Sequence, residues 1–200
     1  MCGVDEAGRG PIAGPLSFAL VIFNRNTLSR ILNSELLESL DDSKKITEKR
    51  REELYEQINS LADYIGHQFI SNKFIDKYGM SYSIFTAIRK LILKNKSRNL
   101  FLLIDGNYNF KVHQANSNFL FNYKSIVKGD SKVASIAAAS IIAKVKRDRY
   151  MNAVSKKYPM YEFSKHKGYG TSLHISKIKK YGFSPIHRVS FRLKDLENGN

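Results

Sequence analysis

Residues 3–15 read Gly3-Val4-Asp5-Glu6-Ala7-Gly8-Arg9-Gly10-Pro11-Ile12-Ala13-Gly14-Pro15. Two adjacent carboxylates lead straight into a loop of glycines and prolines around a single arginine. The glycines are spaced G-x-G-x-x-x-G, whereas the dinucleotide fingerprint is G-x-G-x-x-G opening a helix. Pro11 and Pro15 interrupt the loop, and the β-rich apolar run 16–23 follows it. The order is therefore strand, loop, strand, which argues against a Rossmann turn. No G-x-x-x-x-G-K-[ST] occurs, so there is no Walker A loop either. The loop sets backbone N–H groups, able to meet a phosphate or a sugar hydroxyl, beside acids able to hold a metal. Standing alone, the stretch would also fit a plain β-turn with solvated acids.

Around this stretch the chain is strongly basic, with a formal net charge of +15 over 200 residues. That balance calls for an acidic partner, nucleic acid first and an anionic membrane surface second. A pure binder of polyanions has little reason to keep paired acids in its pocket, since they repel phosphates. An enzyme that holds a divalent metal against a polyanion does. Hydrophobic residues are 42% and charged residues 26% of the chain, as in a globular protein with one core. A single cysteine, Cys2, cannot close an internal disulfide, and a reducing cytoplasm is expected. The first residues lack a basic and then apolar leader pattern, and no apolar run is long enough for a bilayer. No membrane partner is expected, because no basic amphipathic helix of the interfacial kind is present.

Further along, Tyr64–Ile70 reads as a third strand, and Leu100–Ile104 as a short buried one ending in Asp105-Gly106. A mixed strand is expected over 119–127. Helices are expected over 28–40, from an N-cap at Thr47 to about Leu61, over 80–94, over 131–158 and over 172–181. Residues 41–45 read as a loop, and the chain past Arg192 as a frayed tail. Strands interspersed with helices indicate an α/β fold. The chain turns more basic near Lys156, so residues 1–155 are expected to form the main sheet domain. Residues 156–200 are expected to form a small C-terminal helical region.

Four carboxylates fall where a sheet would present them. Asp5 and Glu6 end the first strand, Asp105 ends the buried strand, and Asp130 sits in the Lys128-Gly129-Asp130 turn. Hard oxygen ligands select Mg²⁺ or Mn²⁺. Two-ion phosphodiester cleavage needs three or four such acids. Neighbouring strand residues point to opposite faces, so Asp5 and Glu6 converge only if the strand twists out or the Glu6 carbonyl serves. Asp105 could instead be a turn former, and Asp130 an N-cap. Asp148 reads as an i,i+4 partner of Lys144 rather than a further ligand. The Ala- and Ser-rich run 131–145 suits a helix lying close on a sheet. In Ser164-Lys165-His166-Lys167-Gly168-Tyr169-Gly170-Thr171, Lys165 and Lys167 are placed to meet phosphates, and Tyr169 to stack on a base or sugar. His166, His174 and His187 lack metal-ligand spacing.

Seven motifs in order carry a specific resemblance. They are Asp5–Pro11, Asp42-Ser43-Lys44-Lys45, Asp105-Gly106, Lys128-Gly129-Asp130, Ala137–Val145, Arg147-Asp148 and His166–Thr171. Together they resemble the motif series of bacterial ribonuclease HII and span residues 3–192. The link from Asp105 to Asp130 looks several residues longer than is usual for that family. The resemblance implies a ribonuclease H-like mixed β-sheet flanked by helices, with the small helical region contacting substrate. It implies a metal-dependent endonuclease that cuts the RNA strand of RNA–DNA hybrids. It also implies cutting 5′ of single ribonucleotides embedded in duplex DNA, leaving 3′-hydroxyl and 5′-phosphate ends. Asp5, Glu6, Asp105 and Asp130 match the family's metal-binding acids. Gly8, Arg9 and Gly10 match the loop that reads the ribose 2′-hydroxyl, the group that tells RNA from DNA. Tyr169 matches a tyrosine that stacks on the next sugar, and Lys44 joins the substrate-binding set. A monomer in the cytoplasm is expected, with any replication or repair partner left open. The competing expectation is a non-catalytic nucleic-acid binder on the same fold.

Overall fold

The computed structural model describes residues 2–38, 40, 46–95 and 100–191. Five strands form one mixed sheet in the order β3-β2-β1-β4-β5. They are β1 Cys2–Ala7, β2 Leu16–Ile22, β3 Tyr64–Ile70, β4 Phe101–Asp105 and β5 Asn122–Ile126. β1, β2 and β3 are antiparallel neighbours, while β1–β4 and β4–β5 run parallel. The sheet is covered on both faces, which is why β2 is apolar along nearly its whole length and buried. One face carries α3 (Asn72–Lys94), whose Ile84, Ala87, Ile88 and Leu91 pack with Val4, Phe18 and Ile104. The other carries α1 (Arg25–Leu32), α2 (Glu48–Leu61) and α5 (Ala134–Lys157). A Cβ on Gly3 would stand 2.2 Å from the Ser135 backbone, so α5 lies directly on β1. The run of small residues in α5 permits that approach. Among the described residues, no helix is long and apolar enough to cross a membrane.

Several expectations need correction. The apolar spacing over 28–40 is not one helix: α1 ends at Leu32, and Ser34 and Leu37 take left-handed backbone angles. Leu36, Leu37 and Leu40 still pack on the α5 layer, so their spacing reflects burial rather than a helical period. α3 begins at Asn72, capped by Ser71, and breaks at Gly79 (φ 78°), so the expected helix over 80–94 is only its second half. The strand expected over 119–127 shortens to β5, and an unexpected α4 (Lys111–Ser117) occupies the long link from Asp105 to Asp130. α5 starts at Ala134, with Asp130 in a preceding 3₁₀ turn, Gly129–Ser131. The N-cap of α5 is Val133, so Asp130 is not a helix cap. Thr47 does cap α2, accepting from the Arg50 N–H at 3.2 Å. The loop at 41–45, with Lys44, and the tail past 191 lie outside the described residues.

After α5 come α6 (Phe163–His166) and α7 (Ser172–Tyr181, capped by Thr171). This segment folds back on the loop that leaves β1. The Ile12 N–H donates to the Gly168 carbonyl at 2.9 Å, Gly14 N–H to Ile186 at 2.9 Å, and Arg188 N–H to Ile12 at 2.8 Å.

Candidate active site

β1 and β4 lie side by side and parallel, with Val4 opposite Ile104, so Asp5 and Asp105 emerge together at one end of the sheet. The 3₁₀ turn before α5 brings Asp130 to the same place. Carboxylate oxygens of the three aspartates lie within 4.8 Å of one another. Asp5 and Asp130 are buried and Asp105 half-buried. Two backbone donors hold the group: Glu6 N–H to Asp5 Oδ1 at 2.7 Å, and Gly129 N–H to Asp105 Oδ1 at 2.6 Å. Burial, then the charges of Glu6 and Asp105, hold the Asp5 carboxyl well above the usual carboxylate range, against the pull of Ser140. Three hard-oxygen donors this close together fit a small divalent cation. Asp5, Asp105 and Asp130 are the residues that would hold it.

Glu6 leaves β1 on the opposite pleat. Its carboxylate is not one of that tight group. Instead, Glu6 Oε1 accepts the Tyr108 hydroxyl at 2.9 Å. Burial and the Glu6 charge push that phenol far above its ordinary range, so it stays an O–H donor. Glu6 and Asp105 nevertheless line one cleft of about 350 Å³, together with Ala7, Gly8, Arg9, Gly10, Lys144 and Tyr169.

The loop 8–15 owes its shape to two buried arginines. Arg147 donates to the carbonyls of Pro15 (3.1 Å), Lys167 (2.9 Å) and Ala13 (3.0 Å). Arg188 donates to those of Gly14 (3.0 Å), Arg9 (3.2 Å) and Gly8 (2.7 Å). Burial lowers both guanidinium groups from their ordinary value, Arg188 to about 9 with the Arg147 charge adding to the effect. Gly8 has φ +93°, and a Cβ there would stand 2.0 Å from Arg147 Nε. A Cβ on Gly10 would meet nothing within 4 Å, so that side of the turn is open.

Tyr169 is 43% exposed at the cleft, with the Arg147 guanidinium 6.0 Å from its ring centre. Its backbone is held by a buried histidine chain. The Ser184 N–H donates to His187 Nδ1 at 2.7 Å, which places the His187 proton on Nε2. That proton goes to His174 Nε2 at 3.0 Å, and His174 Nδ1 donates to the Tyr169 carbonyl at 2.9 Å. His166 stacks on His174, ring centres 4.1 Å apart. Burial pulls His174 and His187 down to about 4, so all of this operates uncharged.

The lysines are placed differently from the acids. Lys165 pairs with Glu162, and Lys167 with Asn152, and neither lines the cleft. Lys144 does line it, and donates to Asp148 at 2.7 Å as its i,i+4 spacing suggests. Tyr108 and Arg188 escape sequence reasoning. Tyr108 lies three residues past Asp105, which is a faint signal; Arg188 reaches the loop from 180 residues away and leaves none.

The family model for ribonuclease HII matches residues 2–194. A ribonuclease HII of Endomicrobium trichonymphae is 45% identical over 191 residues, covering 96% of this chain and 84% of its own. Among solved structures, the ribonuclease H2 of Pyrococcus horikoshii OT3 superposes with a TM-score of 0.77 at 26% identity. That match covers 96% of this chain and 93% of the other. A Bst-RNase HIII solved with Mn²⁺ gives a TM-score of 0.73 at 17% identity, over 95% of this chain and 66% of its own, a likeness of fold alone.

Proposed function

The chain belongs to the ribonuclease HII family of metal-dependent endoribonucleases, and on that premise we propose that it cuts 5′ of single ribonucleotides in duplex DNA. The same site would hydrolyse the RNA strand of RNA–DNA hybrids, leaving 3′-hydroxyl and 5′-phosphate ends. The observation that carries this reading is the group of three aspartates within 4.8 Å, set at the foot of a glycine turn in a chain of net charge +15. Asp5, Asp105 and Asp130, with Glu6 from the other pleat, are the proposed ligands of Mg²⁺ or Mn²⁺. A pair of such ions, when bound, would activate the attacking water and stabilise the leaving oxygen. Gly8, Arg9 and Gly10 present the turn to the ribose 2′-hydroxyl, with the Gly8 and Arg9 carbonyls drawn inward by Arg188. Tyr169 packs on the following sugar. Lys165 and Lys167, in the region 156–200, and Lys44 meet phosphates farther along the duplex. We place the enzyme in the cytoplasm as a monomer.

The test is a duplex carrying one ribonucleotide, incubated with and without Mg²⁺, with the cut mapped. Metal-dependent cleavage 5′ of the ribose is expected. Binding without cleavage in Mg²⁺ and in Mn²⁺ would overturn the reading in favour of a non-catalytic binder.

A further inference from the structure

Asp5 and Glu6 are neighbours in sequence but face different layers. Asp5 lies on the α5 side, within reach of Ser140. Glu6 points to the α3 side, the side of Cys2 and Val4, and there meets Tyr108. Tyr108 is fixed along its length. Its N–H donates to Ser125 Oγ at 3.1 Å, and its carbonyl accepts the Ser125 hydroxyl at 2.9 Å. Its ring stacks on Phe110 with centres 5.4 Å apart and planes 19° from parallel. Its hydroxyl donates to Glu6 Oε1 at 2.9 Å and lies 3.5 Å from Arg9 Nη1. The Arg9 guanidinium stands 5.7 Å from the ring centre. One anchored side chain therefore touches both an acid of the cleft and the arginine of the turn that follows it.

We propose that Tyr108 is a positioning residue that ties the Glu6 carboxylate to the Arg9 side chain, so that the acid and the turn facing the substrate sugar keep one spacing within the cleft. This rests on the reading of Glu6 as a metal ligand. A phenol suits the task because it offers a single O–H donor at the end of a rigid ring. The ring packing survives in Tyr108→Phe, and only the hydroxyl is removed.

The test is calorimetric titration of Mn²⁺ without substrate, on wild type, Tyr108→Phe, Glu6→Gln and the double variant. Tyr108→Phe is expected to weaken Mn²⁺ binding about tenfold, as loss of a partner that orients a metal ligand does, in a protein that remains folded at the titration temperature by its thermal melt. In the Glu6→Gln background the same change should have little effect, because the O–H no longer aims a charged ligand. Cleavage kinetics should show kcat falling while KM for the duplex holds. Equal Mn²⁺ affinity in wild type and Tyr108→Phe, or the same fold loss in both backgrounds, overturns the proposal. A wild type that shows this coupling yet cuts no ribonucleotide-containing duplex overturns only the substrate reading. A wild type that binds no Mn²⁺ overturns both.

Discussion

Gly8 and Gly10 look equivalent in the sequence, yet the structure makes them opposite tests of the same turn. Adding a methyl group to Gly8 creates two conflicts. Its φ of +93° is strained for any residue with a Cβ, which costs about 1–3 kcal/mol. The Cβ would also stand 2.0 Å from Nε and 2.5 Å from Cδ of Arg147, a side chain only 1% exposed with no room to retreat. Arg147 must then give up one or more of its bonds to Pro15, Lys167 and Ala13, and each buried group left unpaired costs about 1–3 kcal/mol. The two effects together come to about 2–6 kcal/mol, a large part of a typical stability of about 5–15 kcal/mol. For a chain of this size that corresponds to a fall in melting temperature on the order of 5–20 °C. Gly10→Ala meets nothing and should melt as wild type does. Its effect should appear only in cleavage, as a lower rate and a weaker demand for a 2′-hydroxyl. The assay is a thermal melt by circular dichroism beside cleavage of a single-ribonucleotide duplex well below both midpoints. A Gly8→Ala protein melting within about 2 °C of wild type, under 1 kcal/mol on the same scale, would refute the clamp argument. A Gly10→Ala enzyme with wild-type rate and ribose preference would refute the assignment of the open side of the turn to the sugar.

Asp5→Asn should lower cleavage by several orders of magnitude while stabilising the metal-free protein, because burial and the neighbouring acids make the charged Asp5 the disfavoured form; a lower melting temperature in the Asn variant would count against this. His174 and His187 are held near 4 in the folded state against 6.5 ordinarily, so below 6.5 the unfolded chain binds more protons. Their contribution is therefore fully present above 6.5 and lost as pH falls towards 4, about 3–4 kcal/mol for the pair between pH 7 and pH 5, with His67 acting in the same direction. Equal urea midpoints at pH 7 and pH 5 would contradict it. Tyr169→Ala should slow cleavage at a single embedded ribonucleotide more than cleavage inside a long hybrid, by about 1–3 kcal/mol of lost stacking. An unchanged ratio of the two rates would leave the tyrosine a purely structural residue of its loop.

What the sequence discloses about this site divides along a physical line. Asp5 and Asp105 are legible because each closes an apolar run, and an acid in an interior strand of a sheet has few other uses. The small residues of α5 are legible because only close packing explains so many together. The helix expected over 28–40 fails for a related reason. Leu36, Leu37 and Leu40 are spaced by the surface they cover, and a chain with left-handed turns at Ser34 and Leu37 covers it as well as a helix would. Lys165 and Lys167 are harder to read, because charge alone does not say whether a lysine faces a phosphate or a neighbour; here their partners within the chain are Glu162 and Asn152.

The least legible part is what holds the most legible motif in place. The glycine turn has no regular backbone pairing of its own, so its carbonyls need donors from elsewhere. A guanidinium offers five N–H groups in a planar fork, enough for three carbonyls at once, and keeps its charge when buried. Arg147 and Arg188 each do this, from α5 and from the C-terminal segment. Two lysines could not, since each would offer one tetrahedral point of contact rather than a fork. The choice has an electrostatic consequence too. Two positive charges beneath the turn make it attractive to a polyanion, beside aspartates that repel one. Arg188→Lys should for that reason damage the turn more than its charge-conserving chemistry suggests, because the fork and not the charge alone sets the positions of Gly8, Arg9 and Gly14.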